Sequence, residues 1–227
     1  MPPSPRPPGS PSRPNPVPRG FRLPRLYAIV DVDVCAKAGQ TPIDVVQAFL
    51  SAGVRLIQLR AKTWDSGPFL ELAHAALAEA DTAGAVIVVN DRADIAALSG
   101  APGLHVGQDD LTPADARKVV GAASWLGLST HTEAQWTAAF DAPIDYVAIG
   151  PVYGTDTKAT GYRAVGLEAV GRVAACARAM PVVAIGGITL DSAPAVIAAG
   201  ASAVAVISDL LAGAPEARAR AFIRALA

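Results

Sequence analysis

Charge is scarce in this sequence: Asp, Glu, Lys and Arg make up 17% of 227 residues, and the net charge is −1. Such a chain has no broad field to draw in nucleic acid or an anionic membrane, so an anionic ligand must be held by local groups. Cysteine is equally rare. Cys35 and Cys176 lie far apart, without Cys or His partners at metal-ligand spacing. This excludes a disulfide framework and a Cys/His zinc centre, and suits reduced thiols in the cytoplasm. No apolar run approaches the roughly 18–20 residues that span a bilayer, so a soluble protein is expected. Apolar residues are plentiful, at 52%, and can fill one sizeable core.

Nine prolines fall within residues 1–20, and the first 25 residues hold five Arg and no acid. Proline at that density prevents a helix, and the segment has no apolar stretch that resembles a secretory signal. The expected organisation is a disordered Pro/Arg-rich arm over residues 1–24, followed by a single domain over residues 25–227.

From Leu26 onward, eight short β-branched runs alternate with Ala-rich stretches. They cover Leu26–Asp31, Val54–Arg60, Ala85–Asn90, Gly103–Val106, Trp125–Ser129, Tyr146–Gly150, Pro181–Gly186 and Ala203–Ser208. Near-continuous apolar runs suit parallel strands covered on both faces. Helical patterns fill the gaps, and Thr41, Thr112 and Thr132 stand where caps belong. Eight strands alternating with helices predict an α/β fold, a single-domain (β/α)8 TIM barrel, in preference to a doubly wound sheet. In that fold the chemistry sits at the C-terminal strand ends.

Those ends carry polar residues. Gln58, Arg60 and Lys62 alternate at the end of the second strand, an amide and two cations suited to a polyanion. Asn90-Asp91 and Gly107-Gln108-Asp109-Asp110 end the third and fourth. Asp91 and Asp110 suit one Mg²⁺, which commonly takes one or two carboxylates plus water and phosphate oxygens, although both also stand where helix N-caps could form. Ser129 and His131 close the fifth strand without a nucleophile-elbow motif, so a serine nucleophile is disfavoured. His105 reads as a packed core residue and His74 as part of a helix face. After the sixth strand, Gly150–Lys158 resembles a lid with Thr155, Thr157 and Lys158 as donors. Gly186-Gly187 and Ser208 end the seventh and eighth, the usual phosphate place in these barrels.

The motifs LYAIVD, QLRAK, NDR, GLHVGQDD, GLSTHT, GPVYGTDTK, AIGGIT and VAVIS, spread over residues 26–210, together resemble the thiamine-phosphate synthase family. The resemblance implies a transferase that condenses a pyrimidine methyl diphosphate with a thiazole phosphate, releasing pyrophosphate through a pyrimidine cation. It implies that Gln58, Arg60, Lys62 and Asn90 hold the pyrimidine diphosphate and that Ser129 and Lys158 complete its diphosphate contacts, with Arg60, Lys62, Ser129 and Lys158 catalytic and Mg²⁺ on Asp91 and Asp110. Thr155 and Thr157 would face the thiazole phosphate, which would rest on Gly187, Val206, Ile207 and Ser208. The partners are then small-molecule substrates, with no nucleic acid or membrane, and homo-oligomerisation is left open. Ala61 departs from the family, which usually has Glu there. Rival readings are a thiazole tautomerase with the same barrel, another phosphate-binding barrel isomerase, and a non-catalytic barrel.

Overall fold

The β-branched runs form eight strands because each is apolar on both faces and finds a neighbour on each edge. The computed structural model describes residues 21–154 and 161–227. In chain order the elements are β1 (Leu26–Asp31), α1 (Val32–Lys37), α2 (Pro42–Ala52), β2 (Leu56–Arg60), α3 (Ser66–Ala83), β3 (Val86–Asn90), α4 (Ala93–Ser99), β4 (Gly103–Val106) and α5 (Pro113–Val120). There follow β5 (Trp125–Thr130), α6 (Glu133–Ala139), β6 (Tyr146–Ile149), α7 (Gly166–Cys176), β7 (Val182–Ile185), α8 (Ala193–Ala198), β8 (Ala203–Val206), a 3₁₀ turn (Ser208–Leu211) and α9 (Pro215–Ala225). Every strand pairs in parallel with its sequence neighbour, and β8 returns to β1 with Leu26 opposite Val204. The expected eight-stranded barrel is the observed fold.

Local chemistry sets the helix starts. Thr41 Oγ1 accepts from Asp44 N–H at 3.3 Å, and Thr112 Oγ1 from Asp115 N–H at 3.2 Å, each ahead of a proline in the first turn. Thr132 and Gln135 form a reciprocal capping box. Helix α1 has no counterpart in the sequence pattern. It exists because Asp31, the last residue of β1, accepts from the N–H groups of Asp33 and Val34, both at 3.0 Å. The strands expected to reach Gly150, Gly186 and Ser208 end at Ile149, Ile185 and Val206, since the chain turns into the rim loops there.

Two apolar layers result. The outer one lies between sheet and helices and includes Phe49, Phe69 and Phe222. The inner one fills the barrel with Tyr27, Leu56, Val88, Tyr146 and Val183 among others. Phe21 and Leu23, placed in the arm by the sequence reading, pack on this inner layer, Phe21 edge-on to Trp125 at 5.3 Å. Phe21 and Leu23 therefore belong with the barrel; residues 1–20 lie outside the described residues.

The inner layer depends on one missing side chain. A Cβ on Gly127 would lie 2.1 Å from Tyr146 Cζ, inside the space that the phenol ring takes across the barrel. Gly127→Ala should therefore destabilise the protein by at least about 2 kcal/mol, through overpacking of a closed core. Chemical denaturation would check this, and a midpoint equal to the wild type would show that the ring can move aside.

Candidate functional site

Parallel closure brings every strand C-terminus to one rim, where two neighbouring cavities open that share Ile185 and Gly186 in their walls. The first, of about 380 Å³, is bounded by Gly154, Gly187, Thr189 and the run Ala205–Asp209. The second, of about 270 Å³, is bounded by Arg60, Lys62, Asn90, Asp91, Asp110 and Ser129, with His105 and His131. Apart from Gln58 and residues 155–158, the sequence-derived residues thus divide into a glycine-rich hollow and a charged one.

Backbone geometry shapes the glycine-rich hollow. Gly186 and Gly187 have φ of +102° and +64°, and a Cβ on Gly187 would come within 2.5 Å of Gly154 O. Only glycine meets both conditions without strain. Asp209 ties the hollow together by accepting from Leu190 N–H at 2.9 Å while both its carboxylate oxygens accept from Arg218 Nη2, at 2.9 and 2.8 Å. Its charge is thereby balanced beside Val206, Ile207 and Ser208.

In the charged cavity Arg60 pairs with Asp31, opposite it across the β1–β2 ladder. Lys62 Nζ lies 2.5 Å from Asp91 Oδ2. Asp91 has φ of +63°, uncommon for a residue with a side chain, and no side chain of the α4 cap accepts a bond there. Asp110 Oδ2 accepts from Gly107 N–H at 2.7 Å, while Thr112 caps α5. Neither aspartate is the N-cap that its sequence position allowed.

The two carboxylates stand within hydrogen-bonding reach of each other. Burial first, and then the hydrogen bond to Asp110, pushes Asp91 above the usual carboxylate range. Asp110 is held below it: burial works against that, but the bonds from Asp91 and Gly107 N–H and the charge of Lys62 outweigh it. Two carboxylates this close need a proton or a cation between them. They offer a hard oxygen donor set of the kind that takes Mg²⁺ along with ligand oxygens. Among the described residues no group of three or more His, Cys, Asp or Glu side chains is placed to hold a metal ion, so an ion on Asp91 and Asp110 would need water or ligand oxygens as well.

Gln58 is elsewhere. Its side chain does not bound either cavity; it is buried beneath the rim and its amide donates to Tyr27 Oη at 2.8 Å. Tyr27 Oη is 3.0 Å from Tyr146 Oη, which is 3.0 Å from His105 Nδ1. His105 Nε2 is 2.8 Å from Ser129 Oγ. The serine therefore meets the histidine of β4 and not His131, whose Nδ1 donates to Gly150 O at 2.6 Å beneath a stacked Tyr162. With a phenol in place of a carboxylate on Nδ1, the Ser–His pair lacks the acid of a hydrolytic triad. Thr155, Thr157 and Lys158 lie outside the described residues.

Residues 26–210 match the family model described as thiamine monophosphate synthase. The chain belongs to the thiamine monophosphate synthase family. It is 42% identical over 209 residues to a thiamine-phosphate synthase of Koribacter versatilis, covering 91% of this chain and 98% of the relative. A thiamine-phosphate synthase of Thermus thermophilus is also 42% identical, over 88% of this chain and 95% of its own. Among solved structures, the thiamine phosphate pyrophosphorylase of Pyrococcus furiosus superposes with a TM-score of 0.81 at 26% identity, over 89% of this chain and 95% of that one. A 3-hexulose-6-phosphate synthase, at 19% identity and TM-score 0.66, shares the fold alone.

Tyr27, Tyr146 and His105 were legible in sequence only as core residues, because a polar tip inside a barrel leaves no mark on the apolar pattern. Burial pushes both phenols well above their usual range, and pushes the Cys35 thiol up to about 12, with the charge of Asp31 adding to it. All three keep their protons in the folded state while the unfolded chain releases them at about pH 8.5 for Cys and about pH 10 for Tyr. Their contribution is complete below those values and is lost as pH rises past them. The melting temperature should hold to about pH 8.5 and fall steeply above about pH 10. A melting temperature unchanged from pH 8 to pH 11, on the same reference scale, would mean that these groups ionise without unfolding.

Proposed function

We propose that this protein is a thiamine-phosphate synthase, joining a pyrimidine methyl diphosphate to a thiazole phosphate with release of pyrophosphate. The observation that carries this reading is the pair of adjoining cavities with different chemistry, one built from glycine backbone and one from cations and paired carboxylates. A phosphate fits the first, where Gly187, Val206, Ile207 and Ser208 bring the main chain close and where Thr155 and Thr157 follow the wall residue Gly154 in sequence. A diphosphate fits the second, held by Arg60, Lys62, Asn90, Ser129 and Lys158.

The charges of the second cavity argue for a cation as well. Arg60 and Lys62 are each already matched by an aspartate, and Asp110 adds a further acid. A diphosphate entering that balance needs Mg²⁺ on Asp91 and Asp110, which would supply positive charge against the leaving oxygens. The chain's own groups do the rest. As the C–O bond breaks, its electron pair leaves with pyrophosphate, and donors from Arg60, Lys62, Ser129 and Lys158 meet the growing charge. The pyrimidine methylene cation is then captured by the lone pair of the thiazole nitrogen across the shared wall at Ile185 and Gly186, forming the C–N bond. No protein nucleophile is required, consistent with a Ser–His contact that lacks an acid. Gln58 would act one layer below the substrate, through Tyr27. A thiazole tautomerase would have no use for the Asp91–Asp110–Lys62 cluster, and the names of the relatives favour the synthase. We take the setting to be the cytoplasm; among the described residues no helix is long and apolar enough to cross a membrane.

Purified protein given both phosphorylated precursors and Mg²⁺ should form thiamine phosphate and pyrophosphate in equal amounts. EDTA should abolish turnover and excess Mg²⁺ restore it; full turnover in metal-free buffer would overturn the metal assignment, and absence of product would overturn the function.

The two anion sites can be separated kinetically. Gly187→Val, which crowds the glycine-rich hollow, should act mainly on the KM of the thiazole phosphate. Lys158→Ala should instead lower kcat by about 10²–10³, the usual effect of losing a donor to developing charge. A Gly187→Val enzyme altered only in the KM of the pyrimidine diphosphate would show the two substrates to be placed the wrong way round.

A further inference from the structure

We propose that the buried chain Gln58–Tyr27–Tyr146–His105 is a positioning device that keeps the His105 proton on Nε2, so that Ser129 Oγ accepts from His105 and directs its own hydroxyl proton into the charged cavity. The proposal rests on reading Ser129 as a diphosphate contact and adds the groups that give it a fixed polarity.

The polarity begins at Gln58, because an amide nitrogen only donates. Tyr27 Oη accepts that bond at 2.8 Å and has a single proton to give, and the phenol oxygen of Tyr146 stands 3.0 Å away. With the reverse polarity, Tyr146 would donate to Tyr27, and the Tyr27 proton, at a residue 1% exposed, would face the Gln58 amide donor instead of an acceptor. Tyr27 therefore donates to Tyr146, and the Tyr146 proton passes to His105 Nδ1. An imidazole accepting at Nδ1 carries its proton on Nε2, which is 2.8 Å from Ser129 Oγ.

A serine that accepts from imidazole keeps its own proton free for a phosphate oxygen. The same histidine cannot then take the serine proton, so the contact serves donation and excludes nucleophilic activation. The arrangement needs Gly127, because only a residue without Cβ lets the Tyr146 ring reach His105 through the barrel centre. Four strands contribute to one donor: β1 and β2 set the polarity, β6 carries it and β4 delivers it to β5.

The chain has three histidines, so ¹⁵N-histidine labelling of the tag-free full-length protein and long-range ¹H–¹⁵N correlation can resolve the His105 ring. The spectrum expected at neutral pH is that of the Nε2–H tautomer. An Nδ1–H tautomer or an imidazolium there would overturn the proposal, whatever happens to any variant. Tyr146→Phe should mix the tautomers and lower kcat about tenfold, as for loss of one neutral hydrogen bond, with both KM values changed less than twofold. His105→Gln, whose amide can still donate toward Ser129, should retain more kcat than His105→Asn; equal loss would overturn the positioning role. Ser129→Ala separates the two layers. Wild-type kcat in that variant would overturn the diphosphate reading and with it the use made of the polarity, whereas the wrong tautomer overturns the polarity and leaves that reading intact.

Discussion

Hydrogen bonding between β8 and β1 closes the sheet, and the filled interior and the common rim depend on that closure. A parallel sheet with open edges would leave unpaired N–H and C=O groups along its outer strands. Once closed, all eight strands point their C-termini at one rim, and residues from distant parts of the chain become neighbours. Arg60 meets Asp31 because β2 lies beside β1, and Ser129 meets His105 because β5 lies beside β4. The charged cavity is a product of strand order.

Closure also creates an interior that must be filled. Most inner positions are aliphatic, but Tyr27 and Tyr146 bring hydroxyl groups into the centre, and buried hydroxyls need partners. They find them in each other, in Gln58 and in His105, so a potential packing penalty becomes a continuous chain leading to the rim. The cost of breaking one link is larger than the gain from making it, since removal leaves a buried donor or acceptor without a partner. Burial and polarity at the core thereby support a residue in the wall of the charged cavity, Ser129.

The two cavities, if they take the anions proposed for them, reach that end in opposite ways in a chain with little charge. In one, glycine conformations unavailable to other residues let the backbone approach, and Asp209 is neutralised by Arg218. In the other, side-chain charges are present but already matched, with Lys62 against Asp91 and Arg60 against Asp31. A ligand there exchanges partners with an existing network, which favours a ligand of high charge accompanied by a cation.

Strand number, helix starts and the rim as the place for chemistry were legible along the chain because they follow from local periodicity and capping. The threonine caps at 41, 112 and 132 are local bonds between residues three apart, and the apolar runs report burial on both faces. The strand-end residues Arg60, Lys62, Asn90, Asp91, Asp110 and Ser129 were found the same way, and tertiary structure brings them to one cavity. Gln58 follows the same alternation, yet its amide lies under the rim. Which direction a side chain of a given strand takes relative to the rim depends on barrel stagger, a property of all eight strands together. The tyrosine–histidine chain, the Asp31–Arg60 pair and the approach of Asp91 to Asp110 were likewise decided by tertiary structure alone. The first two join residues on different strands, and one-dimensional periodicity holds no record of the register that sets them face to face. The third joins the loops after β3 and β4, whose meeting at one cation was expected but whose direct hydrogen-bonding contact that periodicity does not record.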